Sequence, residues 1–292
     1  MELEVFSDLS ERLKYNLPGF PLYVRKDELR NYRNFTAACH WHPDLEFISI
    51  LEGTMDFFVN GRVVRLETGS GIFVNSKRLH YGFSKEKFEC TFLANVVHPI
   101  LLGEHTPLGK EYFESKFNTK TEDYILLNRD YAWQNEILAG IAQINDEMDS
   151  GKPNHLRIIS KTASICAIIG DNIRPASSAR PDELLLPTVW SMTGFIRKNY
   201  RRKIMLDDIA AAGSVCRSKC CQLFSEYVGQ SPGAYLTQYR INKSCEMLRE
   251  TNMTVLEVAI ACGFHSPSYF AYNFQKETGL SPRKFRNLGI RD

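Results

Sequence analysis

Short runs of alternating apolar and polar residues between positions 36 and 100 predict β-strands. The clearest runs are 47–51, 55–59 and 71–74, and successive side chains of a strand point to opposite faces of its sheet. Asn60 and Gly61 stand between two such runs, which is a strong signal for a two-residue hairpin turn. Regular short strands with glycine-rich turns predict a small β-barrel or jelly roll.

Two segments that follow the strands show helical spacing. Residues 131–149 and 155–173 are separated by the turn-forming segment 150–153. In both, isoleucines recur at helical intervals, which predicts amphipathic helices that pack on their own domain. The apolar stripes consist of Ile137, Ile141, Ile144 and Met148 in the first helix and Ile158, Ile165 and Ile169 in the second.

The C-terminal third of the chain repeats itself at a distance of fifty residues. Each copy has the pattern of a short helix, a glycine turn and a longer helix, which predicts a helix-turn-helix unit. We call the longer helix of each copy its recognition helix. An all-helical interaction repeat is the alternative, but such arrays need at least about three units for a stable stack. The repeated pairs are Leu206/Leu256, Ala211/Ala261, Gly213/Gly263, Ser218/Ser268, Phe224/Phe274, Gly229/Gly279, Ser231/Ser281 and Pro232/Pro282.

Composition predicts where the domains divide. Residues 174–187 have the proline, serine and alanine content of an extended linker, so the predicted domains are 1–173 and 188–292. From residue 188 onward, 15 Lys and Arg face 8 Asp and Glu, a net charge of +7, whereas the rest of the chain carries −5. A basic domain with a duplicated helix-turn-helix predicts binding to the phosphates of double-stranded DNA.

The eight cysteines show no Cys-x-x-Cys spacing, and the first residues lack the charged and apolar regions of a signal peptide. These features predict reduced thiols in a cytoplasmic protein that has no membrane segment. Cys216, Cys220 and Cys221 cluster on the first recognition helix. A thiol redox sensor therefore stays open as an alternative function.

The segment 196–286 resembles the DNA-binding domain of the AraC/XylS family of bacterial transcription regulators. The resemblance rests on Leu206-Asp-Asp-Ile-Ala210, on Gly263-Phe264, and on the paired motifs Gly229-Gln-Ser-Pro232 and Gly279-Leu-Ser-Pro282. It implies seven helices, with a long central helix over residues 234–249. The two recognition helices could then enter successive major grooves on one face of the DNA.

Outward residues of the two recognition helices are the candidates for DNA contact. The resemblance places Ser218, Cys221 and Gln222 towards the bases, and the Gln222 amide can form two hydrogen bonds with adenine. Arg217 and Lys219 are better suited to phosphates or to the rim of the site. The complete predicted DNA-binding set is Arg217, Ser218, Lys219, Cys221, Gln222, Ser268, Tyr269 and Tyr272.

The strand-rich region carries a possible ligand set. His40-Trp-His42-Pro-Asp-Leu-Glu46 and the later His80 resemble the two cupin motifs, whose side chains converge inside a barrel. Imidazoles with a carboxylate suit iron, manganese, nickel or zinc, so His40, His42, Glu46 and His80 are the candidate metal ligands. The segment 75–80 lacks the Pro-x-Gly of metal-binding cupins, which favours a metal-free pocket.

The favoured interpretation of this region is a pocket for a small polar effector, without metal or cofactor. A sugar or sugar derivative would suit aromatic faces combined with a few polar groups. Residues 3–32 are predicted to form either an arm over the pocket mouth, as the resemblance implies, or an ordered strand. The predicted pocket lining is Trp41, His42, Glu46, His80 and Tyr81.

The resemblances together imply an α+β protein with an N-terminal cupin-like β-barrel, appended helices, and a C-terminal all-α double helix-turn-helix. The predicted function is that of a homodimeric, effector-responsive transcription regulator and not of an enzyme. RNA polymerase would be a further partner if the protein activates transcription. The alternatives are a metal-dependent cupin enzyme fused to a DNA-binding domain and the redox sensor.

Overall fold

The computed structural model describes Val5, residues 9–176 and residues 185–289. The chain divides into two compact units after Pro181. Most of the predicted linker, 177–184, lies outside the described residues, so the linker and the exact domain limits stay predictions. Each unit is described by itself below.

The described residues of the first unit include seven strands that pair antiparallel in one sheet. Strands β1, β6, β2, β4 and β7 lie side by side in this order, and β3 and β5 pair with another part of β2. The strands are β1 (Leu22–Glu28), β2 (Leu45–Val59), β3 (Arg62–Glu67), β4 (Gly71–Val74), β5 (His80–Phe83), β6 (Cys90–Val97) and β7 (Tyr124–Leu127).

The long strand β2 corrects the prediction of separate strands at 47–51 and 55–59. It is one element of 15 residues that pairs with β4 and β6 along its first part and with β3 and β5 along its second. Gly53 lies between these parts at φ +80°, and a Cβ there would lie 2.0 Å from the carbonyl oxygen of Glu89. Glycine therefore lets two strands approach at the bend. The Asn60-Gly61 hairpin is confirmed, with both residues at positive φ.

The sheet buries both of its faces. On β2, Leu45 and Phe47 belong to the core shared with the helices, whereas Ile48 and Ile50 belong to the core inside the curved sheet. The two-residue period of a strand accounts for this alternation. The strand pairs of the described residues curve the sheet without closing it into a complete barrel, and its cupin-like form agrees with the predicted fold class.

Three α-helices pack on this sheet within the first unit's described residues: α1 (Pro107–Lys116), α2 (Ala132–Met148) and α3 (His155–Asn172). The predictions at 131–149 and 155–173 are confirmed. Asn154 caps α3 by accepting a hydrogen bond from the Arg157 backbone N–H at 3.2 Å. The isoleucine stripes of α2 and α3 are buried against the sheet.

Residues 185–289 contain seven α-helices, as the resemblance implied. The central helix begins at Pro232 and ends at Glu250, two residues earlier and one later than the expected limits. The helices are α4 (Leu186–Asn199), α5 (Leu206–Ala212), α6 (Arg217–Leu223), α7 (Pro232–Glu250), α8 (Val255–Ala261), α9 (Pro267–Thr278) and α10 (Pro282–Gly289). No helix of the described residues is long and apolar enough to cross a membrane.

The duplicated pattern produces matching local structure. Helices α5 and α6 form the first pair, and α8 and α9 form the second. Ser266 caps α9 by accepting a hydrogen bond from the Tyr269 N–H at 3.2 Å, and Pro267 occupies the first turn. A serine cap followed by proline is a strong local signal for a helix start.

Candidate DNA-recognition surface and barrel cavity

The first recognition helix, α6, has one buried and one exposed side. Cys220 and Leu223 are fully buried, whereas Ser218, Cys221 and Gln222 are exposed. The helical period separates these groups. The outward placement expected for the three base-facing candidates is therefore present in the free protein.

Two charged residues of α6 are already engaged. Arg217 forms a two-point ion pair with Asp207 of α5, and Lys219 Nζ donates to Gln222 Oε1 at 3.3 Å. The sequence pattern predicts a phosphate or rim contact for Arg217 and gives no sign of an acidic partner. In the free protein its charge instead ties α6 to the preceding helix.

The second recognition helix, α9, exposes an aromatic pair. Tyr269 is 54% exposed and Tyr272 is 65% exposed, and Ser268 beside them is exposed as well. Phe270 and Phe274 fill the core on the other side. All three candidates of this copy therefore lie on the outward surface.

Arg240 of α7 links the connection before the first helix-turn-helix to the turn of the second. Its Nε donates to the Tyr200 carbonyl at 2.8 Å, and one terminal nitrogen donates to the Arg202 carbonyl at 2.7 Å. The same guanidinium lies 5.8 Å from the ring centre of Phe264 in the second helix-turn-helix. Arg240 therefore contacts both the α4–α5 connection and the α8–α9 turn. Sequence reasoning missed this role.

A cavity of about 160 Å³ lies inside the curved sheet. An apolar cavity of about 150 Å³ can hold a benzene ring, so this space suits a compact ligand. Its apolar wall includes Ile48, Met55, Phe57 and Phe92. Its polar lining consists of Glu11, Arg12, Lys14, Tyr23, Arg25, Asp27, Tyr32, His40, Glu46, His80 and Tyr81.

The structure brings three of the five predicted pocket residues to this cavity. Glu46, His80 and Tyr81 line it, whereas Trp41 and His42 are not among its lining residues. Trp41 is half-buried and pairs through its backbone with Ser10 and Glu11. Because alternate side chains of an extended chain point to opposite sides, Trp41 faces away from the side that His40 and His42 share.

The three histidines converge beside the cavity, as the cupin resemblance implied. One ring nitrogen from each of His40, His42 and His80 lies within 4.8 Å of the other two. Glu46 Oε2 lies 2.6 Å from His80 Nε2. This short contact joins a carboxylate to a ring nitrogen that carries charge when protonated, so the two groups stabilise each other's charged forms.

Charge in the cluster is concentrated on one pair. Burial, and then the nearby His80, lowers the pKa of His40 to about 4, and the same causes hold the pKa of His42 well below its ordinary value. Burial alone would raise the pKa of Glu46, but His80 outweighs it and lowers the value to about 2. Burial alone would lower the pKa of His80, but the attraction of Glu46 outweighs burial and raises the pKa. These shifts favour the neutral forms of His40 and His42 and the charged forms of His80 and Glu46.

Glu11 is a cavity residue that sequence reasoning missed. Its side chain is only 7% exposed, and Oε2 lies 3.4 Å from His40 Nε2. Burial, and then repulsion from Glu46, raises the pKa of Glu11 to about 7. The sequence carries no signal for this contact, because a single glutamate in an irregular N-terminal segment has no periodicity that links it to position 40.

The donor set fits a divalent metal ion. Nδ1 of His40 lies 2.7 Å from the Ala38 carbonyl, and Nδ1 of His80 lies 2.7 Å from the Arg78 carbonyl. A carbonyl only accepts, so Nδ1 carries a proton in both rings, and a metal would bind at Nε2 after His80 has lost its second proton. His42 Nε2 is buried without a hydrogen-bond partner. His40, His42 and His80 would hold such an ion through their ring nitrogens, which lie within 4.8 Å of one another.

The segment that lacks Pro-x-Gly still makes a tight turn before His80. Lys77 adopts φ +59°, the left-handed conformation that glycine favours. Its N–H donates to the His42 carbonyl at 2.8 Å, and Arg78 forms a buried ion pair with Asp123 at 2.6 Å. The missing motif therefore does not prevent the two histidine segments from meeting.

The three cysteines of the redox-sensor alternative differ in burial. All eight cysteines of the chain are free, and Cys216 and Cys221 are exposed whereas Cys220 is buried. Burial raises the pKa of the Cys220 thiol to about 11, which disfavours the reactive thiolate.

Comparison with protein families matches both regions. A model described as a helix-turn-helix domain matches residues 209–288, and one described as a cupin domain matches residues 34–95. The ToxT crystal structure from Vibrio cholerae O395 aligns with a TM-score of 0.42 at 11% identity, over 93% of this chain and 99% of that chain.

Several curated relatives are transcription regulators. The uncharacterised HTH-type transcriptional regulator YdeC of Bacillus subtilis (strain 168) is 28% identical over 289 residues, which cover 96% of this chain and 97% of that protein. The lactose operon transcription activator of Staphylococcus xylosus is 22% identical over 57% of this chain and 59% of that protein. The melibiose operon regulatory protein of Escherichia coli (strain K12) is 31% identical over 34% of this chain and 33% of that protein.

The duplicated helix-turn-helix and the curved sheet thus define a two-domain DNA-binding protein with a cupin domain. The chain combines an AraC-type helix-turn-helix domain with a cupin domain, and over nearly its whole length it is similar to an HTH-type transcriptional regulator.

Proposed function

We propose that this regulator senses a small molecule in the cupin cavity and reads a bipartite DNA site with α6 and α9. The observation that carries the proposal is the presence of both a cavity lined by apolar and polar groups and two exposed recognition surfaces in one chain. An effector acts only if it binds one arrangement of the protein better than another. The expected site of action is the cytoplasm, where the DNA is accessible.

The two recognition surfaces have different expected roles. Gln222 is the best direct reader on α6, with Ser218 and Cys221 beside it, because its amide matches the major-groove edge of adenine. Ser268, Tyr269 and Tyr272 on α9 present fewer groups for direct readout, so α9 acts more through backbone and shape contacts. Lys219 strengthens binding through phosphate.

The expected effector is a compact molecule with both polar and apolar surface. Tyr81, Glu46 and His80 offer an aromatic face and charged groups next to an apolar wall. Two relatives are named for the lactose and melibiose operons, so a sugar or sugar derivative is the first class to test.

A homodimer is expected because a two-fold partner suits a regulator that binds DNA at paired sites. The isoleucine stripes of α2 and α3 are used inside the domain, so an interface on this helical pair would use its outer surface. Leu156 on α3 is 78% exposed there. Light scattering of the full chain, with Leu156→Glu as the variant, tests this placement. RNA polymerase is a further partner if the protein activates transcription.

A thermal-shift screen of the full chain against sugars, sugar acids and aromatic acids tests the sensor function. A ligand at a hundred times its dissociation constant adds about 2.7 kcal/mol of stability. The cavity-filling variant Ala94→Leu should lose the shift, because Ala94 lines the cavity. Gln222→Ala should keep the shift, since Gln222 lies in the other unit. A shift that survives in Ala94→Leu would place the ligand elsewhere.

A second candidate function, metal-dependent chemistry in the cupin domain, is favoured by the convergence of His40, His42 and His80. A divalent metal would supply a Lewis acid beside the cavity. The chain's own contribution would be to hold three imidazoles with their Nδ1 protons turned away.

Titration of the full chain with cobalt(II), followed by its visible absorption, tests whether the cluster binds metal. Stoichiometric binding that is lost in His42→Ala and kept in His98→Ala would support the metal site, since His98 lies outside the converging group. DNA binding that persists in a metal-free His42→Ala/His80→Ala variant would count against a metal requirement for regulation.

A further inference from the structure

Three polar side chains form a hydrogen-bonded row along the first recognition helix. Lys219 Nζ donates to Gln222 Oε1 at 3.3 Å, and Gln222 Nε2 donates to Glu226 Oε1 at 2.7 Å. The spacing of three and four residues places the members of such a row on one face of a helix. Gln222 thus has a cation beside its oxygen and a carboxylate beside its nitrogen.

This arrangement favours one orientation of the amide. Rotation of the Gln222 amide by a half turn would bring its oxygen to the Glu226 carboxylate and its nitrogen to the Lys219 ammonium. Two acceptors would then face each other, and so would two donors. The charges on both sides therefore select the orientation seen here.

Glu226 reaches this position through the turn that follows α6. Residues Phe224–Val228 form a π-helical turn, an irregularity that is often found at functional sites. Phe224, Tyr227 and Val228 are buried and fix the turn against the core. Glu226 between them remains half-exposed, on the side of Gln222.

A fixed amide orientation matters for base choice. Recognition of adenine requires the amide oxygen to accept from N6 and the amide nitrogen to donate to N7. An amide nitrogen has two hydrogens, so one can remain with Glu226 while the other is offered to the base. A freely rotating amide could also present its donor and acceptor in reverse order, which suits other bases.

We propose that Glu226 is a positioning residue for DNA readout, which together with Lys219 fixes the Gln222 amide in the orientation that selects adenine. The inference rests on the proposed DNA-reading role of Gln222. Glu226 itself need not touch the DNA, and its carboxylate would otherwise be unfavourable beside phosphate.

The test is selection of sequences from a random duplex library by the full-length protein. The wild-type chain and the variants Gln222→Ala, Glu226→Ala and Gln222→Ala/Glu226→Ala are compared, with Glu250→Ala as a control that removes the same charge at an exposed site on α7. We expect Gln222→Ala to abolish an adenine preference at one position, a loss of roughly ten- to a hundredfold. Glu226→Ala should weaken that same preference by about three- to tenfold, without a change in melting temperature.

The double variant separates positioning from direct contact. If Glu226 acts through Gln222, the double variant matches Gln222→Ala in base preference. A further change at another base position would instead make Glu226 a reader in its own right and overturn the proposal. An unchanged preference in Glu226→Ala would overturn it as well.

If the proposed DNA-reading function itself is wrong, the selection experiment gives results that differ from those expected when only the role of Glu226 is wrong. A wild-type chain that enriches no motif contradicts the proposed sequence-specific DNA binding. A motif that is insensitive to Gln222→Ala removes Gln222 from the readers, and the positioning role of Glu226 falls with it.

Discussion

Arg217, the first residue of the first recognition helix, is paired through two nitrogen atoms with both carboxylate oxygens of Asp207 in the preceding helix. The hydrogen bonds from Arg217 lower the pKa of Asp207. Both side chains are largely exposed, so the pair adds little stability in water. Its main consequence is that the Arg217 charge is neutralised at the edge of the DNA-binding surface.

Asp207→Asn should therefore release Arg217 for a phosphate contact. Each phosphate that is neutralised steepens the fall of log K with log salt by about 0.9, so we expect a slope steeper by up to that amount. Arg217→Ala should leave the wild-type slope almost unchanged. Fluorescence anisotropy with a random-sequence duplex measures both slopes, and Glu250→Gln controls for the charge change. A slope that becomes shallower in Arg217→Ala would mean that the ion pair opens on DNA.

The ion pair between Arg78 and Asp123 differs because both side chains are only 4% exposed. Asp123→Ala leaves a buried guanidinium without its carboxylate, which should cost about 3–5 kcal/mol of unfolding free energy. Urea unfolding followed in the cupin domain checks the value. Glu114→Ala, which removes an exposed partner of Lys110, should change stability by no more than about 0.5 kcal/mol. A similarly small effect of Asp123→Ala would show that water or backbone groups replace the carboxylate.

Local patterns account for what the sequence could predict. Helices α2 and α3 have apolar periodicity and are separated by turn-forming residues, so their predicted limits lie close to the observed ones. The Asn60-Gly61 hairpin follows from two residues. The repeat at fifty residues is sufficient by itself to locate both recognition helices.

Contacts between distant positions could not be predicted in the same way. Glu11 reaches His40, and Arg240 reaches Tyr200, yet no local pattern links the two positions of either pair. The position of Trp41 between two histidines predicts a place in the pocket, although strand alternation turns its side chain away. The proposed positioning role of Glu226 could not be predicted, because it depends on a π-helical turn that has no simple sequence signal.

Lys77 offers a test of the turn before His80. A residue other than glycine in the left-handed region costs about 1–2 kcal/mol. Replacement by glycine removes this cost, but part of the benefit is lost because glycine gives the unfolded chain a larger backbone entropy. Lys77→Gly should therefore stabilise the cupin domain by about 0.5–1 kcal/mol, whereas Lys77→Ala should change little because alanine keeps the Cβ. Urea unfolding compares the three proteins. Destabilisation by Lys77→Gly would show that the lysine side chain itself contributes to the turn.

Gly263 and Gly233 test how tightly the two helix-turn-helix units are joined. Gly263 has φ +81°, and a Cβ there would lie 2.4 Å from the Tyr200 carbonyl oxygen, the same oxygen that accepts from Arg240. Gly263→Ala combines left-handed strain with overpacking and should cost about 2–4 kcal/mol. Gly233 in α7 has nothing within 4 Å of its Cβ position, so Gly233→Ala should be neutral or stabilise by up to about 1 kcal/mol.

The same pair of variants should differ in DNA binding. Gly263 is buried, so any effect of Gly263→Ala on affinity must act through the arrangement of the helices. We expect weaker binding to a two-part site, because displacement of the Tyr200 segment disturbs the Arg240 contacts that link the α4–α5 connection to the second helix-turn-helix. Anisotropy with duplexes that contain both halves or one half of a selected site distinguishes the causes. Equal losses on both duplexes would indicate local unfolding of the second helix-turn-helix, whereas a loss confined to the two-part site identifies the Arg240 contacts as the element that sets the spacing.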